Sequence, residues 1–353
     1  MFYFTGGAMK KRLIAIILLI TFILPSFYSC SQRKKQTAER FDCFDTYSLL
    51  TVYCEESEFE PYKQEFDTIL VKYHELFDIY NSYEEKTNLK ALNDSASLAP
   101  IIVSKELFDA IKYAKELYTL TNGKCNVALG AITSLWHDAR SKANAAPESA
   151  ELPQPERITE ALLHIDISNL VLNESECSVY YADNSLSLDF GAIAKGYVAS
   201  LLYEKLISVG CDSFLINLGG NIVSHGEKPD GDNWLTKIEN PFENKSLGYN
   251  EIIELHDETL VTSGSYQRYF KYNGKSYSHI IDTENGYPAE RFTSVSVKAS
   301  SKDSALADAL STALFCMSYE DGLSLVSSLD GFSALWIFND GSVRCSKDFG
   351  GAK

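Results

Sequence analysis

From Thr46 to Ser346, helix-like and strand-like segments follow one another without strict strand–helix–strand alternation. That order favours an α+β fold, with mixed or antiparallel sheets and packed helices in a single unit, over a doubly wound parallel sheet. The run 46–53 is β-branched and aromatic and reads as a strand. Phe66, Ile69, Leu70, Tyr73 and Phe77 recur at helical spacing within a helix over 61–80. A second helix over 104–121 opens on a Ser cap. Residues 138–157, rich in Ala, Pro, Ser and charge, predict an exposed loop, followed by a short helix over 158–163. Strand-like pieces stand near 170 and over 178–190, then a helix over 193–209 and a strand over 213–218. Strand-like runs recur at 235–238, 251–255, 277–281 and 293–299. Helices over 304–317 and 320–328 precede a terminal hairpin around Asn339-Asp340-Gly341.

The N-terminus predicts export. Lys10, Lys11 and Arg12 precede an apolar run over 13–25, too short for a comfortable membrane span, and then Ser29 and Cys30. This divides the chain into a signal peptide (1–29), a lipidated polar tether (30–41) and one folded domain (42–353). Cys30 is the expected lipidation site of a bacterial lipoprotein, held on the periplasmic side of a membrane by that anchor. The alternatives are an ordinary signal peptide or an uncleaved anchor, and Met9 is a second possible start. Cleavage removes those three bases and no acid, taking the formal charge from −16 to −19. Such a surface disfavours broad nucleic-acid binding, which needs a basic footprint. Cys43, Cys54, Cys125, Cys177, Cys211, Cys316 and Cys345 form no CxxC pair. A Cys43–Cys54 disulfide is conceivable, and seven thiols is the simpler reading.

Four constellations can carry chemistry. Asp189-Phe190-Gly191-Ala192-Ile193-Ala194-Lys195-Gly196 reads as a turn into a helix N-terminus, either an anion site or a capped packing turn. Asn217-Leu218-Gly219-Gly220-Asn221 is a turn or a close backbone approach. The stretch 262–288 crowds together Ser263, Gly264, Arg268, His279 and Asp282. Ser and Arg can bind phosphate, and His279 is either a general base or structural. Asp308 and Thr312 share one helix face and suit a hard cation such as Mg²⁺, or are an exposed Asp and a back-bonded Thr.

In this order and spacing the four constellations resemble the ApbE family of flavin transferases, from about Thr46 to Ser346. The family's DxGxxAKG, NLGG, TSG-x-Y-x-R-Y, HI-D-x-x-x-G-x-P and ADALxTA elements match the chain at Asp189, Asn217, Thr262, His279 and Ala307. The resemblance implies an ApbE-like (T-fold-like) fold and Mg²⁺-dependent transfer of FMN from FAD to a Thr or Ser hydroxyl of an acceptor protein, with release of AMP. It implies Mg²⁺ held by Asp308, Thr312 and the carbonyl of Ala192, His279 as base beside Asp308, and flavin contacts from Tyr80, Lys124, Cys125, Asn126, Asp189, Lys195, Ser263, Gly264 and Arg268. It points to exported flavoprotein acceptors, such as subunits of the Na⁺-translocating NADH:quinone reductase or Rnf-type complexes. The alternatives are an FAD pyrophosphatase giving FMN and AMP, and a non-catalytic flavin-binding lipoprotein. Four positions depart from the family pattern: Phe44-Asp45 stands for Met-Gly, Asn126 for Asp, and Ala192 for Gly.

Overall fold

The computed structural model describes residues 33–350 except 243 and 245. The expected signal peptide and Cys30 lie outside the described residues. In chain order the elements are β1 (Lys34–Cys43), β2 (Thr46–Cys54), α1 (Glu56–Phe77), α2 (Leu89–Ser95), β3 (Ile101–Ile102), α3 (Lys105–Leu120), α4 (Gly130–Ala145), α5 (Pro155–Leu162), β4 (Leu170–Asn173), β5 (Ser178–Tyr181) and α6 (Ala194–Ser208). Then come β6 (Phe214–Leu218), β7 (Asn221–His225), β8 (Trp234–Thr236), β9 (Ile253–Leu255), β10 (Glu258–Gly264), β11 (Tyr269–Tyr272), β12 (Lys275–Ser278), β13 (Phe292–Ser300), α7 (Ser304–Cys316), α8 (Tyr319–Ser327), β14 (Ser333–Phe338) and β15 (Val343–Cys345).

Eight strands form one sheet in the order β1-β2-β6-β7-β10-β13-β14-β15. Every pairing in it is antiparallel. Both faces are covered, and β14 shows how: Ala334 and Trp336 enter the main core, while Leu335 and Ile337 enter a second one. A strand buried on both faces reads as a continuous apolar run rather than an alternating one. Helices α1, α6 and α7 pack on one face; Trp234, Tyr249, Ile253 and Leu255 cover the other. Helix α7 is apolar nearly all round because it lies between the sheet and α6. A third cluster joins α4 and α5 to β11 through Ile132, Trp136, Ile158 and Phe270.

The expected α+β class and most elements match this architecture, and three expectations are corrected. The segment expected as a tether to residue 41 is instead strand β1 from Lys34, paired with β2 along its length. Its polarity misled because β1 is an edge strand in which only Ala38 and Cys43 are buried. The loop expected over 138–157 is largely helical: α4 continues to Ala145 and α5 starts at Pro155. The strand expected over 178–190 ends at Tyr181. A Cys43–Cys54 bridge is impossible here, since Cys43 pairs with Thr46 at one end of the hairpin and Cys54 with Lys34 at the other. All seven described cysteines are free thiols.

Candidate active site

The site is built where α6 meets α7. Gly196, in the first turn of α6, donates its N–H to Asp308 Oδ2 on α7 at 2.7 Å. A Cβ at Gly196 would lie 2.3 Å from Asp308 Cβ and 2.6 Å from the Ser304 carbonyl oxygen. Only glycine permits that approach, which explains the last residue of the DxGxxAKG element. Asp308 is buried, and burial raises its pKa against the opposing pull of Lys195, the Gly196 N–H and the Asn221 amide. Asn221 Nδ2 is itself buried and makes no hydrogen bond of good geometry.

Hydroxyls complete this corner. Ser263 Oγ, on β10, lies 2.8 Å from Ser311 Oγ and 3.3 Å from Thr312 Oγ1. The donor set is one buried carboxylate with neutral oxygens. Among the described residues no three His, Cys, Asp or Glu side chains cluster as a metal cage. One carboxylate plus hydroxyls, with substrate oxygens to complete the shell, is how Mg²⁺ is commonly held, so these residues fit that ion. The alternative reading of Asp308 as an exposed residue is excluded by its burial.

Lys195 faces this corner with no ion pair or side-chain hydrogen bond of its own among the described residues; its charge favours ionised Asp308 and disfavours a protonated His279. His279 follows β12, and its backbone N–H and Nδ1 both meet the Arg268 carbonyl, at 3.0 and 3.2 Å. A carbonyl can only accept, so Nδ1 carries the proton and Nε2 is the free base. Burial, then Lys195, Arg268 and Arg140, push the imidazole pKa down to about 3. It is therefore neutral near pH 7.

Beside this corner stands an aromatic cluster. Asp78 ends α1: its Oδ1 accepts the N–H groups of Tyr80 and Asn81, and its Oδ2 accepts Tyr83 OH. That knot projects Tyr80 outward, 55% exposed, with its ring centroid 5.0 Å from that of His137 on α4. Asp189 acts on Tyr80, its Oδ1 accepting the Gly191 N–H and its Oδ2 the Thr133 hydroxyl.

Not every expected contact converges. Lys124 pairs with Glu284 and, at 3.9 Å, with buried Asp282. It fastens the loop after His279, which Trp136 Nε1 also grips through the Gly286 carbonyl at 2.7 Å. Two cavities of about 480 and 360 Å³ flank Lys124, and none of Asp308, Lys195 or His279 lines either. Cys125 is buried in the core, where burial raises its thiol pKa. Asn126 spends its side chain on Ala128 N–H and the Ile165 carbonyl. Gly264 is buried, and a Cβ there would meet the Tyr266 ring at 2.9 Å. Ala192 lies in the turn entering α6. Arg268 donates to the carbonyls of Phe44 and Asp45 at 3.3 and 2.9 Å.

Sequence reasoning missed Asn221, Thr133, His137 and Arg140. Asn221 was legible as the end of the Asn217 element. The β6–β7 turn, with Gly219 at φ 58° and Gly220 at φ 95°, delivers it to Asp308. A Cβ on Gly219 would meet Thr46 Oγ1 at 2.1 Å, so the close approach there is to protein. Thr133 and His137 belonged to no motif, and Arg140 fell in the segment read as a loop over 138–157.

Fold and site together define a class of protein: an α+β domain on an antiparallel sheet with a buried carboxylate corner between two helices. Within it, the chain belongs to the ApbE family, whose pattern matches residues 44–336. It is 34% identical over 285 residues to the FAD:protein FMN transferase of Treponema pallidum (strain Nichols), covering 76% of this chain and 75% of that one. It is 29% identical over 277 residues to that of Klebsiella pneumoniae (strain 342), covering 78% and 82%. Among solved structures, the ApbE protein of Thermotoga maritima superposes with a TM-score of 0.78 at 26% identity, covering 90% of this chain and 98% of that one. The flavin transferase ApbE of Vibrio cholerae does so with a TM-score of 0.74 at 26% identity, covering 90% and 99%.

Proposed function

We propose that this chain is an FAD:protein FMN transferase. The observation that carries the reading is the corner itself: buried Asp308, the Ser263 and Thr312 hydroxyls, Lys195 with no ion pair among the described residues, and neutral His279, in a chain of the ApbE family. His279 Nε2 takes the proton of an acceptor Thr or Ser hydroxyl. The hydroxyl oxygen attacks the FMN-side phosphorus of FAD, the bond to the AMP phosphate breaks, and AMP leaves. Lys195 offsets negative charge on the pyrophosphate oxygens. Asp308, Thr312 and the Ala192 carbonyl would hold Mg²⁺, which when bound stabilises charge gathering on those oxygens.

The remaining parts of the reading rest on the sequence. Cys30 is the proposed lipid anchor of an exported protein facing the periplasm. The acceptors are exported flavoproteins, with subunits of the Na⁺-translocating NADH:quinone reductase and Rnf-type complexes as first candidates.

The test mixes the purified chain with FAD, Mg²⁺ and an acceptor domain bearing a flavinylation Thr. Flavin fluorescence on the denatured acceptor band, lost with EDTA, is the expected result. AMP without a band means that water is the nucleophile and the chain is an FAD pyrophosphatase. Bound FAD with neither signal means a binding protein.

A further inference from the structure

We propose that Arg140 is a phosphate clamp of the flavin nucleotide, placed by α4 between the Tyr80–His137 pair and His279. The inference rests on FAD as the substrate and names one more residue that recognises it. Helix α4 has two working stripes. Ile132, Trp136, Ala139 and Ala143 are buried on one. Thr133, His137 and Arg140, at i, i+4 and i+7, share the other. Thr133 bonds Asp189 at 2.7 Å, and His137 lies on Tyr80 at 5.0 Å. The third member is therefore carried to the same edge, where its charge acts on Tyr80 and His279.

Arg140 is half-buried, yet it makes no ion pair and no hydrogen bond among the described residues. Burial and the neighbouring Arg268 cation lower its pKa, and Tyr80, Asp189 and Asp45 only partly offset them. Asp189 already serves Thr133 and Gly191. Asp45 stands exposed on a turn and makes no ion pair with it. Two guanidiniums held near each other, one with no acceptor for its five N–H groups, call for an anion with several oxygens. A phosphate offers bidentate acceptance to Arg140, while the Tyr80–His137 platform offers a ring face to the same nucleotide.

The test is binding without acceptor: flavin fluorescence for FAD, FMN and riboflavin, and calorimetry for AMP. The proteins are the wild type, Arg140→Gln, Arg140→Lys and, as a control, Lys142→Gln, two residues on and paired with Glu151. Arg140→Gln is expected to weaken FAD and at least one of FMN and AMP about tenfold or more, the size of a lost charge-assisted hydrogen bond. Riboflavin, which has no phosphate, stays within twofold, Arg140→Lys recovers part of the loss, and Lys142→Gln binds as wild type. Unchanged FAD affinity overturns the proposal. So does an equal loss for riboflavin, which would mean a collapsed aromatic platform. FAD that binds with this pattern but is never transferred sinks the transferase reading and leaves the clamp standing.

Discussion

The two clusters of the site are built on opposite principles. At the α6–α7 corner the centre is enclosed: Gly196 lies against Asp308, both are buried, and Ser263 bonds Ser311, while Lys195 and Thr312 are half-buried. At the rim, Tyr80, Asp45 and Arg268 are exposed, and the β1–β2 turn is strained. Phe44 and Asp45 both sit at positive φ, 57° and 49°, in a two-residue hairpin turn that favours Asn-Gly. Arg268 holds their carbonyls, and His74 Nδ1 accepts the Phe44 N–H at 3.3 Å. The enclosed end fixes a charge arrangement that chemistry needs to the ångström. The open end has steric freedom, and it is there that Phe44-Asp45 departs from the family pattern.

The most severe way to break the comparison is Gly196→Ala. The new Cβ has nowhere to go, so a loss of roughly 3 kcal/mol or more is expected, read by urea unfolding. A loss below about 1 kcal/mol would show the corner to be looser than described. Asp308→Asn separates charge from shape. Transfer is expected to fall on the order of 10³-fold, the scale of lost electrostatic stabilisation. Stability should hold or rise, because burial raises this carboxyl's pKa: its favourable term is present at low pH and is lost as pH rises through the folded pKa. A lower thermal midpoint at pH 7.5 would contradict that account of its burial.

His279 gives the pH test. Its folded pKa, about 3, lies below the unfolded 6.5, so its stabilising term is present above pH 6.5 and is lost as pH falls from there towards 3. His279→Gln should flatten that part of the stability–pH curve and lower transfer on the order of 10²-fold or more at neutral pH. Identical wild-type and variant curves between pH 7 and 4 would remove the burial argument. The smallest effect belongs to the rim: Asp45→Gly should stabilise the chain by about 1 kcal/mol, by relieving one left-handed residue. Destabilisation there would mean that the Asp45 side chain does more than sit on a strained turn.

Much of the corner was readable in the chain. Asp308 with Thr312, Lys195 with Gly196, Ser263 and His279 were all picked out, and the structure brings them together. Lys124, Cys125 and Asn126 were picked out by the same motif logic, but their side chains go to Glu284, the core and backbone groups. A motif marks a position, and the side chain's partner depends on which neighbour the fold supplies. Edge strand β1 was missed because only one face of it needs apolar residues, and α4 because Ala, Ser and charge also suit a loop.

By itself the sequence determined the α+β class and the residue types at the carboxylate corner, because helical and strand periodicities and short local motifs are written in neighbouring residues. Tertiary structure alone decided that Asn221 meets Asp308, that His279 is neutral with Nε2 free, and that Arg140 stands near Tyr80 and His279 with no partner among the described residues. Each of those depends on desolvation and on charges brought from distant segments, which exist only once the chain has packed.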